Sequence, residues 1–409
     1  MIRPFLALVF ALSVPARAEY DLEDARHDYW KRPLTDRFTK LKAELEAGRM
    51  QLDTAGEKET LISLLKALEI PASSQMLIFS TTSLQLSLIS PRNPRALYFN
   101  EDVYVGYIPG GKFEIISLDP HAGGVFYIFP VPREGQALNI ERSARCMNCH
   151  AREDTGYVPG LVAKSVIPGP TGGSLQAFRL GLSGHGIPYA ERFGGWYLTG
   201  THGFTEHWGN ALGRFQDGKM QKLPIEPGKL FRYDRYPVAT SDVLPQLIHE
   251  HQLGFANRFI EATYFTRQML ANDAGTPTTE QVRALEEKAR DLVRYLLFAD
   301  EPPLPVGGVE GDSAFKTDFL ANRRVTPAGA SLKDFDLKTR LFRFRCSYMI
   351  YSTVFQGLPE AMKQRVYTRL ARALDTQRPD PDFAYLPPAE KEGIRFILKA
   401  TLAGLPANW

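Results

Sequence analysis

The sequence predicts an α+β fold in which an antiparallel, strand-rich and loop-rich half packs against helical segments. Three observations carry this: leucines at helical spacing before residue 70, a succession of short strand-like runs between residues 75 and 131, and helical periodicity again after residue 241. With 409 residues, 44% of them hydrophobic, the chain can bury a sizeable core.

Residues 1–18 read as a secretory signal peptide. Arg3 supplies a short positive region, Phe5 to Val14 an apolar stretch, and Ala16-Arg17-Ala18 a small-x-small cleavage site. A mature chain beginning near Glu19 is therefore expected to be periplasmic or otherwise exported. The apolar stretch is shorter than a spanning helix and no later segment reaches that length without charge, so no transmembrane span is expected in the mature chain. Cleavage removes Arg3 and Arg17 and no acid, leaving 47 basic against 46 acidic residues, a net charge of +1. That balance predicts no nucleic-acid partner.

From 19 to 70 the pattern is helical, with Leu41, Leu45, Leu61, Leu64, Leu65 and Leu68 at three- and four-residue spacing. Residues 71–235 form the second region. It opens with strand-like runs around Met76–Phe79, Ala96–Phe99, Val103–Val105, Phe113–Ile116 and Val125–Phe129, which predict an antiparallel meander. Pro109-Gly110-Gly111 and Asp119 to Gly124 supply its turns. The region continues loop-rich through Gly156, Pro159, Gly160, Pro168, Gly169 and Pro170. Residues 236–409 form the helical C-terminal region. Val243, Leu247, Ile248, His251, Phe255, Phe259 and Ala262 trace one face, and Thr278 with Gln281 forms a capping-box pattern ahead of a second helix. A break over 300–311 and three further helices, 337–355, 364–374 and 389–402, complete the expectation.

Just after the predicted sheet stands Cys146-Met147-Asn148-Cys149-His150. Two thiols three positions apart followed at once by histidine form a c-type haem attachment site: each thiol adds across one vinyl group, and the adjacent imidazole lies beneath the iron as proximal ligand. This composition yields about 0.0004 chance matches to such a pattern, which decides against accident. One covalent haem c is therefore expected, held by Cys146 and Cys149 with His150 on the iron. A zinc site would need four ligands, and the third cysteine, Cys346, lies far away without a nearby histidine. Cys346, inside Leu341 to Ile350, reads as a buried apolar thiol.

The iron's sixth position decides the reaction. The candidates are His121, His185, His202, His207, His249, His251, Met220, Met269 and Met349. A second histidine lowers the potential, methionine raises it, and a vacant site permits ligand or peroxide chemistry. His202, in the Gly200-Thr201-His202-Gly203 loop, ranks first and His207 second, with the segment 194–210 read as the second half of the pocket. His185 ranks lower. His249 and His251 point to different sides of one helix, so they do not form a joint metal site, and His251 reads as a core histidine. Met269 and Met349 read as core. The leading expectation is a periplasmic cytochrome passing single electrons to or from a redox partner protein or small donor or acceptor. The alternatives are a haem oxidoreductase, peroxidase- or oxygenase-like with His202 or His207 beside Arg179 or Arg192, and a haem-based redox or gas sensor; whether the chain is an enzyme is left open.

Four segments carry a family resemblance: Ser90 to Asn100 with Val103 to Gly106, Cys146 to His150, Gly194 to Gly203, and Asp336 to Arg343. Together the chain resembles large exported bacterial proteins with a single cytochrome c domain and no assigned reaction. The similarity spans most of the mature chain and implies haem binding and electron transfer, but no substrate. Dihaem peroxidase-like proteins would need a second attachment motif, and small soluble cytochromes c place theirs near the start of an all-helical domain, whereas here strands precede it.

Overall fold

The computed structural model describes residues 20–136, 138–178, 183–271, 277–406 and 409; the expected signal peptide lies outside them. The architecture is mixed α+β, with antiparallel sheets and several helices.

Its centre is a six-stranded antiparallel meander of β1 (Met76–Ile78), β2 (Arg95–Phe99), β3 (Val103–Tyr107), β4 (Lys112–Asp119), β5 (Gly123–Pro130) and β6 (Glu141–Arg142), paired in sequence order. Tight connections join β2 to β5. At the β4–β5 turn the Asp119 carboxylate accepts from the His121 and Ala122 amides at 2.8 and 2.9 Å. Gly123 follows at φ +80°, where a side chain would be strained.

Because successive strand residues face opposite ways, the meander has two distinct faces. Val105, Tyr107, Phe113, Ile115, Tyr127 and Phe129 share one, buried under α1 (Arg37–Glu46) and α2 (Glu57–Ala67) through Phe38, Leu41, Leu61 and Leu64. Asp36 caps α1 by accepting from the Thr39 amide at 3.0 Å. The other face carries Arg95, Leu97, Glu114, Ile116, Phe126 and Ile128. Phe126 is buried, but the other five are only partly covered. This face turns toward the attachment segment, formed by a single 3-10 turn (Ala144–Cys146) and the one-turn α3 (Met147–His150), and toward the helical half.

The loop-rich stretch after α3 contains two hairpins that the sequence reading did not name, β7 (Val166–Pro168) with β8 (Ser174–Ala177) and β9 (Ala211–Gln216) with β10 (Lys219–Pro224). The second turns on Asp217-Gly218, both at positive φ, an Asp-Gly pair that suits a two-residue hairpin.

The helical half is built around α4 (Val243–Met269), which is buried almost all round as expected of a helix enclosed on every side. Around it stand α5 (Thr279–Leu296), α6 (Ser313–Ala321), α7 (Thr353–Gln356), α8 (Glu360–Ala373) and α9 (Pro388–Thr401). The capping box of Thr278 and Gln281 is formed. Two corrections follow. Helix α6 falls where none was expected, and the expected helix over 337–355 is absent over most of that span. There the chain bends at Leu337, φ +59°, where the Asp336 carboxylate accepts from the Lys338 and Thr339 amides. It then feeds Phe342 into an aromatic cluster with Phe319, Phe335 and Tyr348. A local side-chain turn and tertiary aromatic packing outweigh helical spacing here.

Two histidines sit inside this half as a satisfied pair. His185 Nε2 lies 3.2 Å from the Ala299 carbonyl, His185 Nδ1 lies 2.8 Å from His251 Nδ1, and His251 Nε2 lies 2.7 Å from Ser347 Oγ. A carbonyl can only accept, so His185 carries its proton on Nε2, His251 on Nδ1, and Ser347 donates to His251. Burial pushes His185 down to about 3 and His251 well below its ordinary value. Both rings therefore stay neutral when folded and titrate near their ordinary value when unfolded. Their stabilisation is complete above pH 6.5 and falls as the pH drops toward 3. For His185 the expected loss is about 1.4 kcal/mol per pH unit, roughly 2 kcal/mol at pH 5, and His251 adds to it in the same direction. Urea denaturation at pH 7 and pH 5 measures this: the midpoint should fall at pH 5, and less steeply in His185→Gln; a flat midpoint would contradict a neutral pair.

Candidate functional site

The attachment segment lies at the edge of the partly covered sheet face. Cys149 is exposed, Cys146 and His150 are half-buried, and all three cysteines, Cys346 included, are free thiols. Burial, partly offset by a hydrogen bond from Ser143, raises the Cys146 thiol. Cys346 is fully buried and burial pushes its thiol strongly up, which makes it a core residue.

His150 is held by its neighbours in a definite orientation. Its Nδ1 donates to the Gly160 carbonyl at 2.9 Å, and the Gly160 amide donates back to the His150 carbonyl at 2.8 Å. The ring packs on Phe126 at 4.8 Å. A hydrogen bond from one ring nitrogen to a carbonyl leaves the lone pair on the other, so Nε2 is the nitrogen available to a metal. The loop that provides Gly160 is itself tied down. The Pro159 carbonyl accepts from the Gly124 amide at 2.8 Å, and Asn257 on α4 brackets Leu161, its Oδ1 accepting from the amide at 2.7 Å and its Nδ2 donating to the carbonyl at 2.8 Å. A Cβ on Gly160 would stand 2.5 Å from Asn257 Oδ1.

Beside His150 on the same sheet face, Arg95 pairs with Glu114 at 3.1 Å. Burial opposes ionisation of Glu114, but Arg95 and hydrogen bonds from Gln85 and Ser83 hold its carboxyl below the usual range. Arg95 keeps one donor, Nε, buried without a partner. Two further side chains complete the face. Trp196 donates from its indole to the Lys164 carbonyl at 3.0 Å. His249 of α4 lies against Phe99, Tyr104 and Trp196 at ring distances of 5.4, 5.6 and 6.3 Å. Burial first, then Arg95, holds both His150 and His249 below the ordinary imidazole value, His249 down to about 3.

The structure brings His202 and His207 together, 5.4 Å between ring centroids, but among Phe193 and Phe204 rather than beside His150. His202 Nδ1 is buried without a partner, while His207 Nδ1 accepts from the Gly209 amide at 3.0 Å. Burial alone lowers His202; burial, then His202 and Lys222, takes His207 to about 4. Among the described residues no ring or charged group is shown against both this pair and His150. Arg192 is committed elsewhere, paired with Glu250 at 3.1 Å and donating to the His185 and Ile187 carbonyls. Arg179 lies outside the described residues. His121 is exposed on the β4–β5 turn and Met349 is core. Trp196 lies in the segment 194–210 expected to form the second half of the pocket, whereas Arg95 and Asn257 were not named as site residues; the legible signal was Arg95 and Glu114 on otherwise apolar strands.

Among the described residues no group of three or more His, Cys, Asp and Glu side chains is placed to hold a metal ion on its own, so Cys146, Cys149 and His150 do not converge as a ligand set. They suit instead a group attached through two thiols and bound through one imidazole. The free Nε2, the unpartnered Arg95 donor and the partly covered apolar patch of Leu97, Ile116 and Ile128 fit a flat, apolar, acid-bearing ligand such as haem. No protein-family model, curated protein or solved structure matches this chain.

Replacing Asn257 by leucine should leave the buried Leu161 amide and carbonyl unpaired and lower unfolding stability by about 2 kcal/mol or more. Chemical denaturation of the variant against the parent measures this, and a change of a few tenths would remove Asn257 from the support of His150.

Proposed function

We propose that this chain is an exported c-type cytochrome that carries one covalent haem c and passes single electrons. The observation behind the reading is the attachment segment set against a partly covered apolar sheet face, with His150 oriented so that Nε2 stays free. When bound, haem supplies an iron that alternates between ferrous and ferric states. The chain's own residues do the rest. Cys146 and Cys149 fix the group covalently, so it is retained at any concentration. The Gly160 carbonyl holds His150 in one tautomer and one orientation, and Arg95 offers a cationic donor to a haem propionate.

The same residues set access. Ala144, Arg145, Asn148 and Cys149 are exposed, which leaves the attached edge within reach of a redox partner protein or small donor or acceptor. The packed face behind it, Phe126 and Trp196 included, limits water and holds the surroundings in place through a change of charge. Among the described residues no helix is long and apolar enough to cross a membrane. Export and a periplasmic location rest on residues 1–18 and belong to this proposal.

Replacing Cys146 and Cys149 together by alanine should abolish haem retained after acid–acetone extraction, while Cys346→Ala should leave it unchanged. Full retention in the double variant would sink the attachment reading. Ferric and ferrous spectra of the parent with carbon monoxide test the reaction class: indifference supports electron transfer, and a shift on binding supports catalysis or gas sensing.

A further inference from the structure

We propose that His249 closes the sixth position of the iron, so that the haem is held by one histidine from the attachment segment and one from α4. This inference rests on the haem reading above and adds to it the second axial ligand.

Its geometry follows from strand register. Tyr104, Ile116 and Phe126 form one row across β3, β4 and β5. At about 4.8 Å per strand, the ends of that row stand roughly 10 Å apart. His150 packs on Phe126 at one end and His249 on Tyr104 at the other. Ile116 lies between them and is one of the residues the fold leaves partly covered. Two imidazoles thus flank an apolar gap on a single sheet face.

The state of the ring argues against a packing role. His249 is 5% exposed, and among the described residues its ring is given aromatic contacts and no hydrogen bond, while neither nitrogen is sealed away as His202 Nδ1 is. Elsewhere this fold spends hydrogen bonds on buried imidazoles: all four nitrogens of His185 and His251 are within bonding distance of a partner. Its neighbours on α4 face the same way and are engaged, Gln252 accepting from the Tyr104 hydroxyl at 3.1 Å and Asn257 bracketing Leu161. His249, with no hydrogen bond among the described residues, is the imidazole on that face whose nitrogens are open to a metal bond. His202 shares the missing partner on Nδ1, but its ring neighbours are Phe204 and His207 and not the row that carries His150.

The experiment uses the full-length exported protein. The parent should give a low-spin ferric spectrum that carbon monoxide does not alter. His249→Ala should become high-spin and bind carbon monoxide, and added imidazole should restore the low-spin spectrum. His249→Met, which keeps a ligand of similar reach if the alanine variant fails to fold, should stay low-spin with a higher midpoint potential. His202→Ala and His207→Ala should keep the parent spectrum. A high-spin parent, a low-spin His249→Ala, a His249→Met with the parent potential, or loss of the low-spin state in His202→Ala would each overturn the assignment. Failure of the haem reading is seen separately, as a parent that retains no haem after acid–acetone extraction.

Discussion

The site depends on the two-residue alternation of the central meander. Register assigns Phe113, Ile115, Tyr127 and Phe129 to the face sealed by α1 and α2, and Glu114, Ile116, Phe126 and Ile128 to the face that meets the attachment segment. A slip of one residue would exchange the two sets, sending Glu114 and Arg95 under the helices and sealing the apolar patch. Register is protected by the burial of large aromatic side chains on the sealed face, where Phe38 packs against Tyr127 and Phe129, and by short turns that leave little slack between strands. The long loop after the attachment segment then has a fixed surface on which to fold, and it is pinned there at Gly124 and Asn257.

The histidines separate by what their nitrogens meet. His185 and His251 lie deep and pass hydrogen bonds from Ser347 through to the Ala299 carbonyl. They are structural groups that tie α4 to the chain around Ser347 and Ala299. His150 is bonded on one nitrogen only, and His249 on neither. His150 is half-buried and the other three are buried, yet His249 is buried much as the bonded pair is, so burial alone does not separate these rings. The distinction lies in whether the fold provides donors and acceptors for the ring, because an imidazole removed from water must recover its hydrogen bonds or find another partner for its lone pair.

Much of the fold was legible in the chain. The strands from Met76 to Phe129, the leucine-faced helices before them and the capping box at Thr278 all came from local pattern, because each element's periodicity agrees with the face it buries. Local pattern misleads where local and tertiary preferences diverge. Leu337 to Ser347 has apolar residues at helical spacing, yet the turn at Asp336 and the packing of Phe342 against Phe319 and Phe335 hold it out of a helix. The hairpin at Asp217-Gly218 carried its own signal in that dipeptide, and it was hidden in a region read for its glycines.

What the chain alone carries is the motif, two thiols and an imidazole within five residues, whose spacing is legible without any knowledge of the fold. The sequence also determined the alternating strands that make a two-faced sheet. Tertiary structure decided which other residues come to that attachment point. Arg95, Gly160, Trp196 and His249 lie on a strand, two loops and a helix, and no spacing in the chain relates them to Cys146. His202 and His207 had a favourable local setting, flanked by glycine and tryptophan, but local setting carries no information about distance in space. That is settled by the register of the six-stranded sheet and by how α4 packs against it.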